Sequence, residues 1–215
     1  MTRTILFDFD GVLADTLDDM LNFSQAVCSI LGHDCQPSPR DLDILDSMDI
    51  LSYGRQLGLP ANKLEDFGGM MVEQFRLKQD PPALFAGLVD VIRQSSRNSR
   101  IGVVTGNSTE IVREFIVHHG LDNYFNCVLG ADTPGSRGDK IRRAVQEMEG
   151  CITSTFMVGD SISDVRAAKE VGAISVAVTW GHQSEARLAA AEPRMLAHSP
   201  AELLRILNGS KDLTR

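Results

Sequence analysis

Residues 4–16 read Thr4-Ile5-Leu6-Phe7-Asp8-Phe9-Asp10-Gly11-Val12-Leu13-Ala14-Asp15-Thr16. Ile5-Leu6-Phe7 is the short apolar run of a buried strand. It ends in two carboxylates, Asp8 and Asp10, and Gly11 follows, where the chain can leave the strand sharply. Strand residues at i and i+2 face the same way, so Asp8 and Asp10 aim together if the strand continues. Two carboxylates that close repel each other and invite a hard cation. In an open parallel sheet, the C-terminal end of a strand is where ligands bind. Taken alone, the same letters also describe a polar strand end entering a turn, so the reading depends on matching parts elsewhere.

After Thr16 the periodicity becomes helical. An apolar stripe from Leu17 to Leu31 closes at Gly32. Pro37-Ser38-Pro39 breaks the chain. Short helical stretches follow around Leu42 to Leu45 and Met48 to Leu57, then a longer one over 62–79, stopped by Pro81-Pro82. No strand pattern stands out there, so residues 16–82 are expected to be an all-helical insert, or cap domain. Residues 1–15 and 83–215 would then form the α/β core.

That core alternates strands and helices. Strand patterns lie at 101–105, 127–129, 155–158 and 174–178, with helices at 85–96, 109–119, from Lys140 to about Met148, and after Asp164. Asn107 and Glu110 have capping-box spacing at the second of these helices. One or two short helices are expected in the tail. The spacing predicts parallel βαβ units in a doubly wound sheet.

Polar residues then collect along one edge of the sheet: Asp8 and Asp10, Thr105 with Gly106 and Asn107, Lys140, and Asp160 with Asp164. Carboxylates for a divalent cation, a lysine, and a hydroxyl beside backbone amides suit phosphoryl transfer, which needs positioning and charge neutralisation. Ser161-Ile162-Ser163-Asp164 also has capping-box spacing, so Asp164 has a second, compatible use as a helix cap. Trp180 is read as packing.

The composition bounds the alternatives. The chain has 215 residues, 43% of them hydrophobic, and a net charge of −8. That balance argues against a nucleic-acid or anionic-membrane partner. No run approaches the ~18 apolar residues of a membrane span, and the first residues lack the ordered regions of a signal peptide. The four cysteines form no C-x-x-C pair. A cytoplasmic protein with reduced thiols is expected, as a monomer or homodimer.

The ordered set Asp8-Phe9-Asp10-Gly11-Val12-Leu13, Val103-Val104-Thr105-Gly106-Asn107, Lys140, and Gly159-Asp160-Ser161-Ile162-Ser163-Asp164 resembles the motifs of the haloacid dehalogenase superfamily of phosphohydrolases. The helical insert after the first motif resembles the subgroup holding phosphoglycolate phosphatases and β-phosphoglucomutases, with a Rossmann-like core. Thr179-Trp180-Gly181-His182 is similar to the phosphoglycolate phosphatase-like branch. The resemblance implies Asp8 as nucleophile and Asp10 as general acid and base. It implies Mg²⁺ held by Asp8, Asp10 through its backbone carbonyl, and Asp160, with Asp164 in support. Thr105, Gly106 and Asn107 would bind the phosphoryl oxygens, and Lys140 would neutralise charge. Many relatives have a proline after this lysine; here Ile141 follows, and Arg137 on the same loop offers another cation. The implied function is hydrolysis of a small phosphate monoester through an aspartyl-phosphate. The alternatives are a phosphomutase and a catalytically silent binding protein on the same fold. Asp10 argues against a dehalogenase, whose chemistry needs no acid there.

Overall fold

The computed structural model describes residues 3–209, so residues 1–2 and 210–215 of the expected core lie outside the described residues. Its main sheet contains β1 (Arg3–Phe7), β4 (Ser99–Val104), β5 (Phe125–Leu129), β6 (Thr155–Gly159), β7 (Ile174–Val178) and β8 (Met195–Ala197). The order is β5-β4-β1-β6-β7-β8, and every pairing is parallel. The chain leaves β1 toward one side and later returns past it to the other. The crevice at the C-terminal end of β1 is therefore the switch point at which such sheets bind ligands.

A parallel sheet is buried on both faces, which explains the uninterrupted apolar strands. Alternation along β1 sends Ile5 and Phe7 to one core cluster and Leu6 to another. The first face is covered by α5 (Leu88–Ser95), α6 (Thr109–His118) and α10 (Pro200–Gly209), through Val91, Phe115 and Leu203 among others. The second is covered by α7 (Arg137–Glu147) and α8 (Ile162–Val171), through Ile141, Ala144 and Ala168. Phe7 is fully buried, so truncating it to alanine should cost ~3–5 kcal/mol.

The segment between the first two motifs is helical, as expected. It contains α1 (Leu17–Ile30), α2 (Pro39–Asp43), α3 (Ile50–Gln56) and α4 (Leu64–Leu77). These helices close on a cluster of their own, centred on Val27, Leu42, Tyr53, Phe67 and Met71. Where the chain enters and leaves this segment, β2 (Ala14–Asp15) and β3 (Ala83–Leu84) pair antiparallel. A short helix, α9 (Glu185–Ala190), lies between β7 and β8. No helix among the described residues is long and apolar enough to cross a membrane.

Several local expectations are corrected. β2, β3 and β8 were not anticipated, because two or three residues carry no readable alternation and their pairing is long-range. The helix expected from 85 starts at Leu88, after Gly87. The helix expected to open at Lys140 opens at Arg137. Ser136 Oγ accepts from the Asp139 N–H at 3.1 Å, and the Asp139 carboxylate accepts from the Ser136 N–H at 3.0 Å, closing a capping box. Asn107 does not cap α6; the cap position is Ser108, and the Asn107 side chain turns to Asp10 instead.

Candidate active site

Asp8 directly follows β1, and its N–H still pairs with the Val158 carbonyl at 2.8 Å. The carboxylate is buried. Its Oδ1 accepts from the Phe9 N–H at 2.8 Å, and its Oδ2 accepts from Arg137 Nη1 at 2.9 Å. Both oxygens are held, so the rotamer is fixed before any substrate arrives.

The chain then turns back so that the Leu13 and Ala14 N–H groups reach the Phe9 carbonyl at 2.9 and 3.0 Å. Gly11 makes the turn at φ +74°, and a Cβ there would strike Asp160 Oδ2. On the opposite side, a Cβ at Gly181 would strike the same carboxylate. Asp160, at the end of β6, is thus cradled by two bare backbones. It accepts from the His182 N–H at 2.7 Å. His182 Nδ1 lies 3.1 Å from the same oxygen but off the line of a hydrogen bond. Burial opposes a charge on His182, yet Asp160, Asp10 and Asp8 together raise its pKa.

Asp10 accepts two contacts from Asn107 Nδ2, at 3.0 and 3.3 Å. Burial, then the charge of Asp8, push its pKa up to about 6, against the lowering effects of His182, Asn107 and Thr16. Asp10 is therefore a carboxyl that exchanges a proton near neutrality. Thr105 lies buried at the end of β4, and its Oγ1 accepts from the Asn107 N–H at 3.1 Å.

Oxygens of Asp8, Asp160 and Asp164 lie within 4.8 Å of one another, and all three residues are buried. A set of hard carboxylate oxygens under mutual repulsion fits a divalent cation. Asp164 has the two uses its sequence allowed. Its Oδ2 accepts from the Ser161 N–H at 3.2 Å, closing a capping box on α8, and from Ser161 Oγ at 2.6 Å, and its Oδ1 pairs with Arg137. Burial leads in raising its pKa, with Asp8 and Asp160 adding to it and Arg137 opposing.

Lys140 sits differently from its expected place. Its Nζ donates to the Gly130 carbonyl at 2.7 Å and to the Thr105 carbonyl at 3.3 Å, and it ties two strand ends together. Burial, then Arg137, lower its pKa. Arg137 is the cation that touches the acids. Burial works against its charge, but Asp164 and Asp8 overcome this and raise its pKa.

Residues that sequence reading passed over complete the site. Gln183 is buried; its Oε1 accepts from the Ile162 N–H at 2.8 Å, and its Nε2 donates to the carbonyls of Leu45 at 2.7 Å and Asp43 at 3.1 Å. It joins the start of α8 to the loop after α2. Trp180 packs as expected, against Phe85, and its Nε1 donates to the Val12 carbonyl at 3.3 Å. Above the acids lies a cavity of about 180 Å³, walled by side chains of the helical segment.

Three similarities bear on this arrangement. The model of the family described as haloacid dehalogenase-like hydrolase matches residues 5–178. A phosphoglycolate phosphatase from Synechococcus elongatus is 32% identical over 209 residues, covering 94% of this chain and 95% of that protein. Among solved structures, a haloacid dehalogenase-like family hydrolase from Streptococcus pneumoniae superposes with a TM-score of 0.83 at 20% identity, covering 96% of this chain and 99% of that one.

Proposed function

The chain belongs to the family of haloacid dehalogenase-like hydrolases, and on that premise we propose that it is a Mg²⁺-dependent phosphatase of small phosphate monoesters. The observation that carries this reading is the division of labour between two carboxylates two residues apart. Asp8 is clamped by Phe9 N–H and Arg137, as a nucleophile should be, while Asp10 is held by Asn107 and has its pKa raised to about 6, within reach of both giving and taking a proton.

In the first step, an Asp8 oxygen attacks phosphorus. The bond from phosphorus to the ester oxygen breaks, and Asp10 gives its proton to that oxygen as the alcohol leaves. In the second, Asp10 takes a proton from water, whose oxygen attacks phosphorus. The bond to Asp8 then breaks, releasing inorganic phosphate and restoring the Asp8 carboxylate. Arg137 offsets negative charge beside Asp8 and orients it. Thr105 and the backbone at Gly106 and Asn107 hold phosphoryl oxygens. Asp8, Asp160 and Asp164, with the Asp10 carbonyl, would hold Mg²⁺, which when bound supplies charge neutralisation on the phosphoryl oxygens. Lys140 supports the site from behind, by fixing the strand ends that carry Thr105 and Gly130. Residues 16–82 act as the cap that excludes water.

The phosphomutase alternative needs polar cap groups that hold a sugar. The cavity wall is mostly apolar, which favours the phosphatase.

Phosphate release from a panel of monoesters, with and without Mg²⁺, tests the reading in wild type and Asp8→Asn. Release should require Mg²⁺ and fall by on the order of 10⁴ or more in the variant. Asp8→Asn should melt no lower than wild type, since it relieves repulsion among the acids. Near-wild-type turnover in Asp8→Asn would remove the nucleophile assignment.

A further inference from the structure

The cavity has a charged floor and an apolar wall. Its lining from the helical segment includes Leu42, Leu45, Met48, Ile50, Met71 and Phe75. Among the described residues, the cationic groups that line it are Arg137 and His182, both at the phosphoryl end and both set against carboxylates. The basic side chains of the helical segment are spent elsewhere. Arg76 pairs with Glu110, Lys78 with Asp19, and Lys63 donates to the Leu31 carbonyl. Arg40 and Arg55 do not line the cavity.

The polar groups of the wall offer no substitute. Asp49 is a carboxylate whose oxygens accept from the Ser52 N–H and hydroxyl at 2.8 and 2.7 Å. The Tyr53 hydroxyl lies 3.1 Å from Ser24 Oγ, inside the helical cluster. The wall is also held in place. Gln183 fixes the Leu45 and Asp43 carbonyls, and Arg187 donates to the Leu45 carbonyl at 3.1 Å.

A leaving group with its own negative charge would lose its water against such a wall, find no cation, and meet Asp49. An uncharged apolar leaving group would gain about fourfold in affinity for each methylene buried. The flexible side chains of Met20, Met48 and Met71 suit such a group, because a thioether adapts to irregular apolar shapes. At about 180 Å³, the cavity is close in size to the ~150 Å³ apolar cavity that admits benzene. Part of that space belongs to the phosphoryl group, which leaves room for a short branched chain.

We propose that the substrates are phosphate monoesters of small, uncharged, apolar alcohols, and that the helical wall rejects phosphoglycolate-type esters, whose leaving alcohol carries a carboxylate. The proposal rests on the phosphatase reading and narrows it.

Isobutyl phosphate and 2-phosphoglycolate form a matched pair, since two methyl groups replace two carboxylate oxygens on the same CH₂–O–phosphate frame. Isobutoxide is the poorer leaving group, so intrinsic reactivity runs against the expected order. With full-length protein and Mg²⁺, kcat/KM should be at least ~10-fold higher for isobutyl phosphate, a ratio that corresponds to one tenfold step in transition-state affinity. Met48→Lys, which places an ammonium in the wall, should shift that ratio by at least ~10-fold toward phosphoglycolate. Equal or better turnover of phosphoglycolate by wild type overturns the proposal and leaves the phosphatase reading standing. Release from neither ester, nor from acetyl phosphate, overturns both.

Discussion

The floor and the wall of one cavity are held together by different forces. On the floor, Asp8, Asp10, Asp160 and Asp164 crowd at the switch point of the sheet, and each is held by named donors. On the wall, residues of α1 to α4 meet through apolar burial, and the one carboxylate of the wall is turned to its own helix. The floor carries charge that folding alone would not gather, because like charges at short range oppose it. The wall carries surface that folding gathers readily. On the proposed reading, chemistry common to any monoester would belong to the floor, and choice of the alcohol to the wall. The contrast also separates what a substitution should do: on the floor it should change kcat, and on the wall it should change KM.

The largest effect that sharpens this contrast is expected at two cations of one helix. Arg137 faces the acids, whereas Lys140, one turn on, faces backbone carbonyls. Arg137→Ala should lower kcat by ~10²–10³, the cost of removing one preorganised charge-stabilising donor. Arg137→Lys should recover part of that loss. Lys140→Ala removes the donor to two buried carbonyls, which should cost ~1–3 kcal/mol of stability and lower Tm by several degrees. Its kcat should stay closer to wild type than that of Arg137→Ala. Steady-state kinetics and thermal melts on the three variants measure this. The reverse ranking in kcat would return the neutralising role to Lys140.

The same pair shows where sequence reading reached its limit. Asp8, Thr105 and Asp160 were legible because each directly follows an apolar strand run, and a parallel sheet sends all such ends to one edge. The order of motifs then pointed to Lys140. What moved the charge to Arg137 is a capping box, Ser136 with Asp139, that starts α7 earlier. The same spacing was read at Ser161 and Asp164, where structure and sequence agree. Asn107 was misread as a cap because an amide with no tertiary partner is best used locally, and its partner Asp10 is remote in sequence. Gln183 gave no signal at all, since its bonds run to Ile162 and to residues 43–45, all remote in sequence. The wall was the least legible part. Leu42 and Met71 face the helical cluster and the cavity at once, and hydrophobic periodicity cannot divide such a residue between the two.

An intermediate effect tests whether the wall depends on its tie to the floor. Gln183→Leu keeps the volume but removes the acceptor for the Ile162 N–H and the donor to the loop after α2. Losing satisfied buried partners costs ~1–3 kcal/mol. Part of that should fall on substrate binding, with KM rising about fivefold and kcat holding within about twofold. If kcat fell as far as in Arg137→Ala while KM held, floor and wall would be one catalytic unit, and the contrast between them would fail.

The smallest effect is a pH dependence of stability that belongs to the floor. Asp10 titrates at about 6 in the fold against 3.8 as its ordinary value. Asp164 is also raised, as is His182. For each of these groups the folded state binds protons more readily than the unfolded chain does. Stability must therefore rise as pH falls through the folded values and decline as pH rises through them. Asp41, Asp49, Asp132 and Asp139 are lowered and have the opposite sign. Their contribution is lost only as pH falls below the ordinary carboxylate range of ~4, so the window from pH 7 to 5 reports the raised groups. With a chelator present, Tm should climb by a few degrees across that window, at ~2–4 °C per kcal/mol for a chain of this length. Saturating Mg²⁺ should raise Tm at pH 7 and flatten the climb, because a cation among the acids replaces the protons that relieve their repulsion. Asp49→Asn, on the wall, should leave the slope between pH 7 and 5 intact, and Asp10→Asn should reduce it. A flat or falling Tm between pH 7 and 5 in chelator would mean that the acids of the floor are not held in mutual repulsion, which removes the electrostatic reason for a divalent cation at that site.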